Sequence, residues 1–286
     1  MQLSTLVKLV AVSAAFSSTV SASPINTTTV ELAERGTGVM RGLAWAADSR
    51  WAPTIAKGLV SWYYHWEDGP LRELSGNAKV EFVPCFWGPA KIGDWRARED
   101  EFNRNGLPKN ILAQNEIDVS GQANQGAAAA AQSWANTLGK YQKKGVRVSS
   151  PQIVWDVNLL KNTATQLKNN YGMEWDYTAI HFYGGWQDLS KFQTYVRNVR
   201  AAFPNKPIWV SELGVTSRSG GNQAQIKKFH MDAIQWLATL GYVERVAWFG
   251  CFSVSNPPDS YATGLNAFFN SNGSLRDMAY WFMYTS

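Results

Sequence analysis

Histidine and cysteine are scarce in this sequence: 286 residues hold three of the one and two of the other. Metal centres built from imidazoles and thiolates need several such side chains at set spacings. His65 and His230 stand at no matching distance from acids or cysteines, so no metal is expected. Nor is a cofactor expected. A dinucleotide-binding sheet would carry a Gly-rich phosphate turn after its first strand, and Arg41-Gly-Leu-Ala-Trp-Ala-Ala has none. Charged residues make up only 17% of the chain, and the net charge of +5 is spread thinly. A nucleic-acid partner calls for a concentrated basic face; the nearest block, Lys143-Lys144, reads as the solvated end of a helix. No apolar run is long enough to span a bilayer, so no membrane partner is expected, and the chain is expected to work as a monomer. No linker interrupts the middle of the sequence, which argues for one domain near the upper size that a single core supports. Cys85 and Cys251 could form one disulfide in an oxidising compartment, or pack as two small hydrophobes in their apolar runs. Their Cα separation decides between these, and sequence leaves that open.

The N-terminus has a different character. Lys8 precedes the apolar stretch 9–16, and the small residues Val20-Ser21-Ala22 follow, the pattern of a cleavable export signal. Residues 1–22 are therefore expected to be removed. Residues 23–38, Thr-rich and without periodicity, read as a mobile arm, and residues 39–286 as the folded domain. Asn26 and Asn272 head sequons that a secretory route could glycosylate.

Within the domain, short β-branched and aromatic runs alternate with longer amphipathic segments. Strands are expected at 41–45, 58–64, 80–86, 110–115, 146–154, 177–183, 207–212 and 244–249, and helices at 127–144, 159–170, 189–203 and 223–240. Gly145, Gly172 and Gly241 follow three of the helices, where left-handed caps are expected. The stretch 67–79, rich in Gly, Pro and charge, is expected to lack a regular helix. Eight alternations fit an α/β fold of the closed (β/α)8 TIM-barrel type.

Working residues in such barrels come from the C-terminal ends of strands. Two expected strands end in a carboxylate: Ile111-Leu-Ala-Gln-Asn-Glu, closing on Asn115-Glu116, and Pro207-Ile-Trp-Val-Ser-Glu, closing on Glu212. Paired carboxyls across one mouth are what glycoside hydrolysis needs. One gives its proton to the leaving oxygen, and the other attacks the anomeric carbon. His181 and Tyr183, two apart in a strand, point to one face just before Gly184-Gly185.

The runs RGLAW, SWYYHW, FVPCFWG, AQNEID, HFYGGW, KPIWVSELG and AWFG occur in that order. Together they resemble glycoside hydrolase family 128 over residues 41 to about 282. The resemblance implies a secreted, fungal-type retaining enzyme of the (β/α)8 clan acting on β-1,3-glucan or its oligosaccharides, by default within the chain. It implies Glu116 as acid/base, Glu212 as nucleophile and Asn115 as a contact to the sugar 2-hydroxyl. Tyr183 would hydrogen-bond Glu212, and His181 would lie near Glu116. Ile117 stands where the usual motif has proline.

Aromatic residues are plentiful, with 14 Trp, 11 Tyr and 13 Phe. Trp87, Trp186 and Trp248, near strand ends, are the expected sugar platforms, with Tyr63 from the second strand. Trp134, Trp236 and Trp281 lie in helix-like segments and are expected to pack the outer ring. Slow turnover in a glucan-binding protein, or the same chemistry on another β-glycan, are the competing readings.

Overall fold

The computed structural model describes residues 38–66 and 69–285. The leader, Asn26 and the arm through residue 37 lie outside the described residues. Eight strands run β1 (Met40–Trp45), β2 (Val60–Tyr64), β3 (Glu81–Phe82), β4 (Asn110–Ile111), β5 (Arg147–Val148), β6 (Thr178–Gly184), β7 (Ile208–Val215) and β8 (Val243–Cys251). Their order is β3-β2-β1-β8-β7-β6 in one parallel sheet and β4-β5 in another. Isolated parallel bridges join the two sheets at both seams, Cys85 with Leu112 at one and Ser149 with Tyr177 and Ile153 with Ile180 at the other. The result is a closed (β/α)8 barrel.

Five strands, β1, β2, β6, β7 and β8, are long, while β3, β4 and β5 are two-residue ladders. The apolar runs 80–86, 110–115 and 146–154 lie on the barrel wall as expected, but their backbones leave the ladder early. Pro84 has no N–H to give to one.

The helices are α1 (Ala52–Ile55), α2 (Ile92–Asn105), α3 (Ala127–Thr137), α4 (Gly139–Gln142), α5 (Val157–Tyr171), α6 (Leu189–Ala202), α7 (Gln223–Ala238) and α8 (Asp277–Tyr284). The expected helix 127–144 is broken at Leu138, beyond which Gly139 packs where a Cβ would meet Met173 Sδ at 2.7 Å. Helix α2 was not expected: it is rich in charge and buries only Trp95 and Phe102. Between β2 and β3 the described residues form only the 3-10 turn Arg72–Leu74. Gly172 caps α5 in the left-handed region, and Gly145 also has a positive φ, whereas Gly241 does not; α7 already ends at Thr239. Both cysteines are free thiols.

Strand alternation sorts the apolar residues into two cores. Between barrel and helices lie Leu43, Tyr63, Ile180, Val210, Leu213 and Trp248 among others. Inside the barrel lie Ala44, Trp62, Tyr64, Tyr177, Ala179, Trp209, Ala247 and Phe249. Large rings face small residues there: a Cβ on Gly42 would fall 2.1 Å from the Trp62 ring. Tyr177 stacks on Trp209 with centroids 4.0 Å apart. The Arg245 guanidinium lies 4.0 Å from the Trp209 ring centroid and pairs with Glu81 at 2.7 Å. Much of the aromatic content therefore fills the barrel instead of facing solvent.

Candidate active site

The barrel interior ends, at the C-terminal side of the strands, in a cluster of polar groups. A register shift in β7 puts it there. Ile180 pairs with Val210 and His181 with Glu212, so Ser211 is the extra residue of a bulge. Trp209 faces inward and Val210 outward; both Ser211 and Glu212 then reach the interior, and Leu213 turns outward again. Without the bulge, alternation would send Glu212 into the helix layer; bulges re-aim side chains in this way.

Glu116 follows β4 and adopts φ 48°, a left-handed conformation that disfavours a side-chain-bearing residue by about 1–2 kcal/mol. The neighbouring backbone holds it: Asn115 N–H donates to Trp87 O at 2.9 Å, Ile117 N–H to Gln152 O at 3.1 Å, and Gln152 N–H to Gln114 O at 2.8 Å.

Glu116, His181 and Glu212 are all buried. His181 Nδ1 lies 2.8 Å from Glu116 Oε1 and 3.4 Å from Glu212 Oε1. A carboxylate oxygen of Glu116 comes within 4.8 Å of one of Glu212. Glu212 accepts hydrogen bonds at Oε1 from Tyr64 Oη, 2.9 Å, and Trp66 Nε1, 3.2 Å, and at Oε2 from Tyr183 Oη. Burial pushes the Glu212 carboxyl above its ordinary value and the Glu116 charge adds to this, while His181 and the Tyr183 and Tyr64 hydroxyls pull it back. For His181, burial favours the neutral ring, but the Glu212 charge and the Glu116 hydrogen bond outweigh it and raise the imidazole above 6.5. One donor atom from each of these three residues lies within 4.8 Å of the others; His181 is hydrogen-bonded to Glu116 and stands beside Glu212, which makes the cluster a proton-sharing group.

A cleft of about 460 Å³ opens over it, lined by Trp66, Trp87, Asn115, Glu116, Trp155, Tyr183, Glu212, Phe249, Asp259 and Tyr261 among others. Asn115 donates to Gln122 Oε1 at 3.1 Å, and its own buried Oδ1 has no partner among the described residues. Of the residues singled out from sequence, Glu116, Glu212, Asn115, Tyr183 and Trp87 line this cleft, and His181 lies beneath it, joining the two acids.

Three residues are placed elsewhere. Trp248 faces the helix layer, fully buried, and donates to Asn266 O at 2.9 Å. Tyr63 is buried on the same outward side, where its hydroxyl accepts from Leu71 N–H. Trp186 is outside the cleft lining and packs on the Gly221 turn, where a Cβ would come 2.5 Å from Trp186 Cδ1. Alternation decides the first two: on β8, Ala247 and Phe249 take the inward positions, and on β2, Trp62 and Tyr64 do. Sequence reasoning missed Trp66, Trp155 and Tyr261, which stand in loops where no periodicity marks them.

Two buried carboxylates joined through an imidazole at the C-terminal mouth of a (β/α)8 barrel define the glycosidase class of site. The family model for the glycosyl hydrolase catalytic core matches residues 42–282, and the chain belongs to that family. No curated protein matches it. Among solved structures, a curdlan-specific exo-β-1,3-glucanase of family 128 from Blastomyces gilchristii, bound to glucose, is 25% identical, with a TM-score of 0.68 over 85% of this chain and 97% of that one. An exo-β-1,3-glucanase from Aureobasidium namibiae is 21% identical, with a TM-score of 0.73 over 87% and 97%. An endo-β-1,3-glucanase from Amycolatopsis mediterranei in complex with laminarihexaose is 24% identical, with a TM-score of 0.69 over 86% and 99%.

Proposed function

We propose that the protein is a retaining β-1,3-glucanase in which Glu116 is the acid/base and Glu212 the nucleophile. The approach of the two carboxylates, within 4.8 Å oxygen to oxygen, carries this reading. Retaining enzymes hold their carboxyls about 5 to 5.5 Å apart, leaving no room for the water that inverting enzymes place across a gap of about 6.5–9.5 Å.

Glu212 attacks the anomeric carbon as the bond to the leaving oxygen breaks, and Glu116 delivers a proton to that oxygen. Water, deprotonated by Glu116, then releases the sugar from Glu212. Three donors directed at Glu212 favour its ionised form and hold it in place for attack. Asn115 lines the cleft beside Glu116, where its side-chain amide is placed for a sugar hydroxyl. The choice of β-1,3-glucan rests on the similar solved enzymes, both endo- and exo-acting; cleavage within the chain is part of the reading.

Glu212→Ala is expected to abolish reducing-sugar release from laminarin, while calorimetry still detects oligomer binding. Full activity in that variant would sink the assignment. Tight binding by the unmodified protein without product over many hours would favour a glucan-binding protein instead. Product lengths from a hexasaccharide separate internal from terminal cutting, and a panel of β-1,4-linked polymers tests the linkage. Export is also part of the proposal, supported by the apolar run 9–16 and the small residues after it; recovery of a chain lacking about residues 1–22 from the culture medium would test it.

A further inference from the structure

Gln152, on the connection between β5 and α5, is fully buried, and its side chain meets His181 at the centre of the proton-sharing cluster. Its side-chain amide donates to the carbonyl of Ala113 at 3.0 Å and to Cys85 Sγ at 3.6 Å. A backbone carbonyl accepts only, so the NH2 end of the amide must face Ala113. The oxygen end therefore faces the opposite way, toward His181 Nε2 at 2.9 Å and Ser211 Oγ at 2.7 Å. An amide oxygen has no proton to give, so a hydrogen bond with it requires a proton on Nε2. Nδ1 is then the variable nitrogen, and it faces Glu116 Oε1 at 2.8 Å. The backbone of Gln152 braces the same acid, through Gln114 O and Ile117 N–H on either side of it.

We propose that Gln152 is a positioning residue that fixes His181 in the Nε2-protonated tautomer, so that one exchangeable proton lies between Nδ1 and Glu116. This rests on Glu116 being the acid/base. Ser211, brought inward by the β7 bulge, donates to the same amide oxygen and keeps it turned toward the ring. The charged and titratable groups facing His181 are Glu116 after β4 and Glu212 on β7, with Asp118 farther off. Tyr64 donates to the Glu212 oxygen that faces the ring and Tyr183 to the other oxygen, and Cys85 touches Gln152. None of these offers Nε2 an acceptor in place of the amide oxygen. With a leucine at 152, the ring would do better without a proton on Nε2, presenting N–H at Nδ1 to an ionised Glu116. The cluster would then hold one proton fewer, and the acid needed for leaving-group departure would be spent at lower pH.

Nitrogen-15 spectra of the imidazoles test this directly, and with three histidines in the chain the signals can be assigned by substitution. In the unmodified protein, Nε2 of His181 is expected to carry its proton throughout a titration, with Nδ1 the nitrogen that changes. Finding that Nε2 is the one that titrates would overturn the proposal whatever Glu116 does in turnover. Kinetics give a second reading. Gln152→Leu is expected to move the alkaline limb of kcat/KM on a β-1,3-glucan oligomer down by about one pH unit or more, the scale of one hydrogen bond to a charged group. Gln152→Glu keeps an acceptor for Nε2 and is expected to hold the tautomer, with the alkaline limb at or above its original position. Equal downward shifts in both variants, or no shift in either, would overturn the proposal. Inactivity of Glu116→Ala is the separate test of the acid/base assignment.

Discussion

Replacing His230 by phenylalanine is expected to remove a defined part of the protein's sensitivity to acid. His230 lies on α7, completely buried, and neither ring nitrogen has a hydrogen-bond partner among the described residues. Aromatic rings surround it: Trp248 at 4.4 Å between centroids, Trp281 at 5.3 Å and Phe282 at 5.4 Å. Burial, and then the charges of Arg41 and Lys227, hold its pKa well below 6.5. In the unfolded chain the ring takes up a proton below about pH 6.5, while in the folded protein it stays neutral. The unfolded state thus binds more protons in this window, so stability is complete above pH 6.5 and falls as pH drops toward the folded value. The slope is about 1.36 kcal/mol per pH unit for one group. The cost accumulates at that slope for as long as the folded ring stays neutral. Urea unfolding of the protein and of His230→Phe at pH 7, 6, 5 and 4.5 gives a difference curve in which other titrating groups cancel. The curve should be flat above pH 6.5 and rise in favour of the variant by the stated slope below it. An offset at neutral pH, from losing unpaired polar atoms or from repacking, does not bear on the slope. Parallel stability curves for the two proteins would refute the reasoning.

Tyr183→Phe removes a donor from Glu212 and leaves its burial and the Glu116 charge less opposed, so the carboxylate forms at higher pH. The acidic limb of kcat/KM should move upward, with kcat falling about tenfold, the scale of one charge-assisted bond; an unmoved limb would count against Tyr183 as its stabiliser. Trp155 is 57% exposed on the cleft rim, and its loop is held by Asp118, whose carboxylate accepts from the N–H groups of Val154, Trp155 and Asp156. Trp155→Ala should raise KM for long oligomers about three- to tenfold, the loss of roughly 1 kcal/mol of ring contact, with kcat little changed. Arg245→Met removes the guanidinium partner of Glu81 and leaves its carboxylate the Asn110 amide at 2.7 Å, and chemical denaturation should show a loss of about 1–3 kcal/mol.

The barrel and its two acids were legible because both signals are local. Apolar runs punctuated by glycine mark strands, and a carboxylate ending such a run sits at the mouth. Which way each side chain points was less legible, since it depends on register. Trp248 reads as a platform from its place near a strand end, yet parity turns it outward. Glu212 reaches the interior only because Ser211 forms a bulge, which no residue type in that run announces. Helix α2 escaped notice because Trp95 and Phe102, seven residues apart, are its whole buried face. Gln152 could not be singled out at all, because its role consists of contacts made across four strand ends, those of β3, β4, β6 and β7.

The unequal strands divide the site mechanically. Glu212 rides on an eight-residue strand, buried along its whole length and laddered on both sides by β6 and β8. Glu116 hangs from a two-residue ladder joined to the rest of the wall by a single bridge on its β3 side. One carboxylate is an anvil, and the aim of the other is trimmed by the turns that carry it. Sequence drift in those turns would retune proton delivery long before it disturbed the point of attack.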